Sequence, residues 1–204
     1  MKRKIVTYGG YFERFIETLS PKELIKLDFI ISLLETSDRI PAKFIKHIRN
    51  GLYEIRLEYN GNIYRVFFTF DEGQIVVLFN GLQKKTQKTP QNEIEKALKI
   101  KEDIMQTNDH KIRDYSAVLE STYGAHGTPE RAKFDEEAYA FYTSQILLDI
   151  RKNAHLTQSE LAKRIGADKS YISRIEKGDT IPSVATFYRI VAALGLSVEL
   201  HPTL

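Results

Sequence analysis

The chain has 204 residues, of which 42% are hydrophobic and 28% are charged, a composition typical of a folded globular protein. It contains no cysteine, which excludes disulfides, thiolate metal ligands and a cysteine nucleophile, and its five histidines have no metal-ligand spacing. No apolar run approaches the roughly 20 residues that a membrane span needs, and no secretory signal opens the chain. We therefore expect a cytoplasmic protein without membrane contact, bound metal or cofactor.

Charge is distributed unevenly along the chain. Lys and Arg outnumber Asp and Glu by four in residues 1–105 and by two in residues 140–204, whereas Asp and Glu are in excess by three in residues 106–139. Opposite charges within one chain often attract each other, although a charged linker between domains is more often simply solvated. The pattern indicates two basic regions joined by an acidic one.

The first half of the chain predicts a mixture of helices and strands. A short strand at residues 4–8 precedes a helix at residues 20–35, in which Ser20 is the N-cap and Glu23 completes a capping box. Apolar residues then recur with a period of two, which predicts three successive strands separated by turns at Asn60-Gly61 and at residues 71–73. The three strands cover residues 52–59, 63–70 and 74–80. A helix that begins at Thr89 and Pro90 follows them over residues 90–104.

The second half predicts mainly helices. Residues 105–138 are polar at first and are interpreted as a segment that links the two halves. Helical periodicity then covers residues 139–154, 157–165, 169–177 and 183–194, and a short strand is expected within residues 196–202. The predicted fold class is therefore α+β, with a small antiparallel sheet and helices in residues 1–104 and an all-α domain in residues 139–204.

The stretch LTQSELAKRIGADKSYISRIEKG, residues 156–178, is typical of a helix-turn-helix. Thr157 and Glu160 form a capping box for one short helix, Gly166 ends that helix, and Asp168 is placed to cap the next. The outer face of the second helix has cations and hydroxyls and no acid before Glu176, which suits the major groove of DNA. A four-helix bundle with solvated charges is the alternative.

This stretch resembles the helix-turn-helix of phage-repressor (Xre-type) regulators. The resemblance implies that Gln158 contacts a phosphate at the start of the first helix. It also implies a recognition helix in which Lys177 contacts phosphate and four residues face the bases: Lys169, Ser170, Tyr171 and Arg174.

A lysine-rich loop follows the third strand of the first half, in LFNGLQKKTQKTP at residues 78–90. A two-residue turn at Asn60-Gly61 sets the hairpin register and places Arg56 directly opposite Arg65. Opposed like charges destabilise a sheet by up to about 1 kcal/mol, so an anion is expected to compensate them. A surface charge ladder with Glu54 and Glu58 and a bound phosphate backbone are both open interpretations.

The stretch GLYEIRLEYNGNIYRVFFTFDEGQIVVLFNGLQKKTQKTP resembles the core of RelE-superfamily toxins, in the HigB (phage Gp49-like) branch. The downstream segment YGAHGTPERAKFDEEAYAFY resembles the HigA antitoxin that follows such toxins. The resemblance implies a toxin that cuts mRNA, generally in the ribosomal A site, joined to its own antitoxin. It implies a catalytic set of Arg56, Arg65, Lys84 and Lys85, with Lys88 as an RNA-binding residue.

Within that set, the resemblance assigns Arg65 and Lys85 to the scissile phosphate and Arg56 to substrate positioning, with proton transfer as a second role open to Arg56. Two departures matter: the best-studied relatives carry a Lys where Glu54 stands, and a Tyr beyond the basic run where this chain has Lys88-Thr89-Pro90. The general acid and base are therefore unassigned. Tyr64 and His47 are candidates, against the alternatives of a core tyrosine and a surface histidine.

Three functions follow from these patterns. The first is a type II toxin–antitoxin fusion, in which a ribosome-dependent mRNA endonuclease is neutralised by an antitoxin that binds operator DNA and autorepresses its operon. The second is a transcription regulator whose first domain is catalytically inactive, and the third is an RNA-binding protein without nuclease activity. The expected partners are ribosome-bound mRNA, operator DNA, a second copy in a homodimer, and a toxin–antitoxin contact within or between chains.

Overall fold

Within the described residues, the chain forms one six-stranded sheet and eight helices. The computed structural model describes residues 2–38, 40–71, 75–84, 89–106 and 111–199. The chain divides into two compact units, Met1–Phe134 and Asp135–Leu204. The α+β class is confirmed, with the sheet in the first unit and helices in the second. None of the described helices is long and apolar enough to cross a membrane.

The first unit contains the sheet and the helices that cover it. Ser20 and Glu23 make the predicted capping box at the start of the long helix, where Ser20 Oγ accepts from the Glu23 N–H. In chain order the elements are β1 (Lys4–Tyr8), α1 (Tyr11–Ile16), α2 (Pro21–Thr36), β2 (Ile45–Arg49), β3 (Leu52–Tyr59), β4 (Asn62–Asp71), β5 (Ile75–Lys84), α3 (Gln91–Gln106), β6 (Ile112–Asp114) and α4 (Tyr115–Tyr123). α1, β2, β6 and α4 were not predicted.

The strands lie in the order β2-β3-β4-β5-β1-β6. Neighbouring strands are antiparallel except β1 and β5, which run parallel, so the sheet is mixed rather than wholly antiparallel. The β3–β4 hairpin has the predicted register, with Arg56 opposite Arg65. Its turn places Asn60 and Gly61 at φ 48° and 81°, the left-handed conformations that a two-residue hairpin turn of this kind requires. The predicted turn at residues 71–73 lies largely outside the described residues.

Helices cover both faces of the sheet. On one face, Phe67, Phe79 and Leu52 pack against Ala97 and Ile100 of α3. On the other face, side chains from the alternate positions meet α1 and α2. Gly81 lies there against Phe15, and a Cβ at this glycine would be 2.3 Å from the Phe15 ring. This close approach explains why a glycine occupies the middle of a strand.

Residues 111–134, which we call the docking segment, fold with the first unit, whereas the sequence predicts a linker and an antitoxin N-terminal segment over residues 105–138. β6 adds to the edge of β1, and the Gly9 N–H donates to the Lys111 carbonyl at 3.0 Å. Asp114 then caps α4, and the Tyr115 hydroxyl donates a 2.7 Å hydrogen bond to Asp28 of α2. The side chains of the segment that are buried are Tyr115, Val118, Leu119, Arg131 and Phe134.

The second unit is helical and contains the predicted helix-turn-helix. α5 (Pro129–Asn153) contributes residues to both units and is followed by α6 (Gln158–Ile165), α7 (Lys169–Lys177) and α8 (Val184–Ala193). The Thr157–Glu160 capping box forms as predicted, whereas Asp168 occupies the N-cap position of α7 without a side-chain hydrogen bond. The strand expected in the C-terminal tail is not formed by residues 196–199, where the described chain ends.

Candidate nucleic-acid interfaces

Three of the predicted RNA-site cations lie together on the sheet face that α3 covers in part. Arg56 of β3 is opposite Arg65 of β4, and Lys84 of β5 pairs with Ile63, two residues before Arg65. Because side chains at paired positions, and at every second position along a strand, share a face, all three cations lie on one face. The other two predicted lysines, Lys85 and Lys88, lie outside the described residues.

A buried carboxylate lies at the centre of this cluster. Glu54 and Arg65 are each only 3% exposed, and Glu54 Oε1 is 3.4 Å from Arg65 Nε and 3.9 Å from Arg56 Nε. The Thr89 hydroxyl donates a 3.0 Å hydrogen bond to Glu54 Oε2. The opposed arginines are therefore compensated from within the protein by a buried ion pair, not by a surface charge ladder.

Burial lowers the pKa of both Arg65 and Lys84. Desolvation is the main cause for each, and Glu54 acts in the opposite direction. Repulsion by Arg56 lowers the pKa of Arg65 further, and repulsion by Arg65 does the same for Lys84. Glu58 also raises the pKa of Arg65, but two carboxylates do not balance the three cations, so the cluster keeps excess positive charge that a bound anion would stabilise.

Exposure distinguishes the members of the cluster. The Arg56 side chain is 40% exposed, whereas Lys84 is 7% exposed. Lys46 of β2 pairs with Glu54 and is also exposed, so it extends the cluster to the edge of the sheet. We call Lys46, Arg56, Arg65 and Lys84 the basic face. Lys46 is not among the predicted site residues, because side-chain alternation at β2 is too weak to predict a strand there.

Tyr64 and His47 do not belong to the basic face. Tyr64 lies on the opposite face of the sheet, where its hydroxyl donates a 2.6 Å hydrogen bond to Glu23. Burial and this carboxylate raise the pKa of Tyr64 to about 12. His47 is exposed and lies against the ring of Tyr53, with ring centroids 5.0 Å apart. Both residues therefore match the alternatives, a core tyrosine and a surface histidine.

The described residues contain no group of three or more His, Cys, Asp or Glu side chains arranged to hold a metal ion. The chemistry available at the basic face, as far as it is described, is that of guanidinium, ammonium, hydroxyl and carboxylate groups. Such groups bind phosphate through charge and hydrogen bonds.

The second candidate interface is the outer face of α7. Ile172 and Ile175 are buried against the neighbouring helices, which turns the intervening residues outward. Glu176 is also buried, so the acid that ends the recognition helix in sequence does not lie on its outer face. Of the predicted DNA-contact residues in α7, Tyr171 is half-buried and four are exposed: Lys169, Ser170, Arg174 and Lys177.

Gln158 is held in place by a buried hydrogen-bond network that the sequence pattern does not reveal. Its amide nitrogen donates a 2.8 Å hydrogen bond to Glu176 Oε2, which also accepts from Arg151 Nη2 at 2.8 Å. Arg151 and Glu176 are both buried, and their hydrogen bond raises the pKa of Arg151. The network therefore fixes the side chain at the start of α6 that is predicted to contact phosphate.

Comparison with known proteins gives a family for each half of the chain. Residues 14–102 match the family described as phage derived protein Gp49-like, and residues 147–200 match the helix-turn-helix family. The first match contains β2 to β5 and with them the whole basic face. The second contains α6, α7 and α8.

Individual relatives match the helix-turn-helix half. The ImmF control region 10 kDa protein of Bacillus phage phi105 is 39% identical over 54 residues, which make up 26% of this chain. This chain spans 60% of the length of that protein. Uncharacterized HTH-type transcriptional regulators of Sinorhizobium fredii and Methanothermobacter thermautotrophicus are each 42% identical, over 25% and 24% of this chain and 68% and 72% of their own lengths.

Among solved structures, the restriction-modification controller protein C.AhdI from Aeromonas hydrophila is 28% identical, over 29% of this chain and 91% of that one, with a TM-score of 0.29.

The two family matches together account for most of the chain between residues 14 and 200. The chain combines an N-terminal Gp49-like domain of the RelE/HigB toxin type with a C-terminal helix-turn-helix domain of the Xre type.

Proposed function

We propose that this chain unites a type II toxin with its antitoxin. The Gp49-like half is a ribosome-dependent mRNA endonuclease of the cytoplasm, and the helix-turn-helix half binds operator DNA and represses the operon that encodes the chain. The observation that carries the first part is the basic face, in which four cations surround one buried carboxylate on a domain of a toxin family. A surface of this kind attracts a phosphate backbone.

RNA cleavage by this domain would use the 2′-hydroxyl of the substrate as the nucleophile. The 2′-oxygen attacks the adjacent phosphorus while the bond from phosphorus to the 5′-oxygen breaks, and negative charge builds on the phosphate oxygens. A base must accept the 2′-proton and an acid must supply one to the leaving oxygen. Preorganised cations stabilise the developing charge, which is the contribution that the basic face can make.

The members of the basic face take different roles in this proposal. Arg56 is the exposed guanidinium and makes first contact with a phosphate, whereas Arg65 and Lys84 lie deeper and supply charge from below. As the family resemblance implies, Lys85 contacts the scissile phosphate in this proposal and Lys88 binds flanking RNA. The acid and base remain unassigned because Tyr64 and His47 lie outside the basic face.

The second half of the proposal rests on α7. Its exposed cations and hydroxyls follow one face, with Arg174 one turn after Ser170. In a helix-turn-helix this face enters the major groove, and Gln158 and Lys177 contact the flanking phosphates. Lys169, Ser170, Tyr171 and Arg174 then read the bases.

We further propose that the helical unit binds DNA as a homodimer. Several apolar side chains lie exposed along and beside α8, with Val184 at 72%, Ile181 at 59% and Tyr188 at 49% exposure. Val184 and Tyr188 are one helical turn apart, so they share a side of α8. A second copy would bury this patch and provide the two-fold symmetry that an operator with two half-sites requires.

Neutralisation is proposed to depend on the docking segment. β6 binds the β1 edge of the sheet, and β1 and β5 separate it from β4, so β6 does not cover Arg56. Asp114 of the segment pairs locally, with its Oδ2 3.6 Å from Lys4 Nζ. We therefore propose that the segment anchors the antitoxin half to the toxin domain, and that the anchored bulk keeps the toxin out of the ribosome.

The test is to express residues 1–106, which end with α3, in bacteria and to follow growth and mRNA integrity. We expect growth arrest and cleavage of translated mRNA, with far less of both from the full chain. Arg56→Ala should reduce cleavage about 100-fold, the scale on which one charge-stabilising donor contributes. Arg14→Ala is the matched control, because Arg14 is an exposed arginine on α1, away from the basic face.

A transcription regulator with an inactive first domain is the second candidate. It is favoured by Glu54, whose carboxylate already lies within 4 Å of both arginines, at 3.4 Å and 3.9 Å. Unimpaired growth with a well-expressed, folded fragment of residues 1–106 would support this candidate over the toxin.

A further inference from the structure

Glu54 occupies a position that charge alone does not explain. An acid in the middle of a basic face reduces its attraction for phosphate, and Glu54 is nevertheless buried there at 3% exposure. Burying a carboxylate is costly unless it is paired and hydrogen-bonded. Glu54 has both kinds of partner, Arg65 on one oxygen and the Thr89 hydroxyl on the other.

Thr89 reaches Glu54 from a distant part of the chain. It lies 35 residues further along and is the first described residue after the lysine-rich loop, just before α3 begins at Gln91. Its hydrogen bond fixes the orientation of the carboxylate, because Oε2 is held by Thr89 while Oε1 faces the arginines.

The carboxylate in turn restricts the arginines. Arg65 Nη1 donates to the Tyr64 carbonyl at 2.7 Å, and Arg65 Nε lies 3.4 Å from Glu54 in a buried position without a hydrogen bond of its own. Arg65 is thereby held below the surface, and Arg56, at 3.9 Å from the same oxygen, remains the exposed guanidinium.

We propose that Glu54, oriented by Thr89, is a positioning residue that holds Arg65 in place and presents Arg56 to a phosphate of single-stranded RNA. The proposal rests on the proposed function of the basic face, to which it adds two residues that touch no substrate. The effect of Glu54 on RNA affinity distinguishes this role from that of a simple countercharge. A countercharge weakens RNA binding, whereas a positioning residue strengthens it.

Thr89→Val separates these roles without changing any charge. It removes the hydroxyl and keeps the branched shape, and Thr89→Ser restores the hydroxyl as a matched control. The full-length protein is titrated with a fluorescent single-stranded RNA oligonucleotide of mixed sequence at several salt concentrations. We expect Thr89→Val to weaken binding about tenfold, the scale of one hydrogen bond to a charged group, with an unchanged salt slope because no phosphate contact is lost. Thr89→Ser should bind as the native chain does.

Glu54→Gln provides the second variant, with cooperative thermal unfolding as the check that each protein is folded. Positioning predicts weaker RNA binding in spite of the lost negative charge, and a shifted Nε–H NMR signal for Arg65 in both Glu54→Gln and Thr89→Val. Tighter binding by Glu54→Gln, or native binding by Thr89→Val, would overturn the proposal. Failure of the native protein to bind RNA would overturn the proposed function itself. Failure of the positioning role alone would leave RNA binding by the native protein intact and would show only in the variants.

Discussion

Cutting the chain between Gln106 and Lys111 tests whether contacts hold the docking segment to the sheet or only the covalent link does. A protease site placed within residues 107–110 allows the purified full-length protein to be cut into residues 1–106 and 111–204. We expect the two pieces to stay associated, because the segment adds a strand to β1 and buries Tyr115, Val118 and Leu119.

The structure sets the size of the effect for single substitutions. Leu119 is 7% exposed, so Leu119→Ala should cost about 2–3 kcal/mol, the lower part of the range for a core leucine, and raise the Kd between the pieces roughly 30- to 160-fold. Tyr115→Phe removes a 2.7 Å hydrogen bond to the Asp28 carboxylate. A hydrogen bond to a charged group contributes at least about 1.5 kcal/mol, or roughly tenfold in Kd.

Size-exclusion chromatography after cutting shows whether the pieces remain together, and titration of one labelled piece with the other gives the Kd. Leu196→Ala is the matched control, because Leu196 lies in the second unit and is 45% exposed. Separation of folded pieces, or an unchanged Kd for Leu119→Ala, would refute the proposed anchoring. In bacteria, residues 111–204 should rescue growth from the toxin fragment, and residues 135–204 should not.

Three other predictions concern DNA binding and stability. Gln158→Ala should weaken operator binding across all sequences, whereas substitutions at Tyr171 should change the preferred bases, as electrophoretic mobility shifts with randomised half-sites would show. Glu23→Gln should lower the free energy of unfolding at pH 7. Burial tends to raise the pKa of Glu23, but hydrogen bonds from Tyr64, Ser20 and Asn62 outweigh burial and lower the pKa below its ordinary value of 4.5. The ionised carboxylate therefore stabilises the native protein at neutral pH, and this stabilisation is lost as the pH falls below 4.5. Denaturation of the native and variant proteins at several pH values would detect the loss. Glu176→Gln should destabilise the helical unit by about 3–5 kcal/mol, because it leaves Arg151 buried without its counter-ion, and thermal unfolding measures this loss.

Local sequence determined the elements whose geometry depends on near neighbours. The Asn60-Gly61 turn set the β3–β4 register, and both predicted capping boxes formed, at Ser20 and at Thr157. The same is true of α7, where the spacing of Ile172 and Ile175 decided which side chains face outward. In each case the dihedral angles or the periodicity of a few consecutive residues are sufficient to predict the structure, so the rest of the chain is not needed.

Tertiary structure alone decided the features that join distant residues. The three-residue strand β6 has no alternation to read, and α4 is held by Tyr115 on Asp28, 87 residues away. Alternation placed Glu54 on the same face as Arg56, yet its burial depends on Thr89 and on Arg65, which come from other elements. Side-chain exposure is a property of everything packed around a residue, whereas periodicity reports only the face on which the residue lies. That difference is the reason the sequence could group Arg56, Arg65 and Lys84 but could not show that Arg65 and Lys84 are buried.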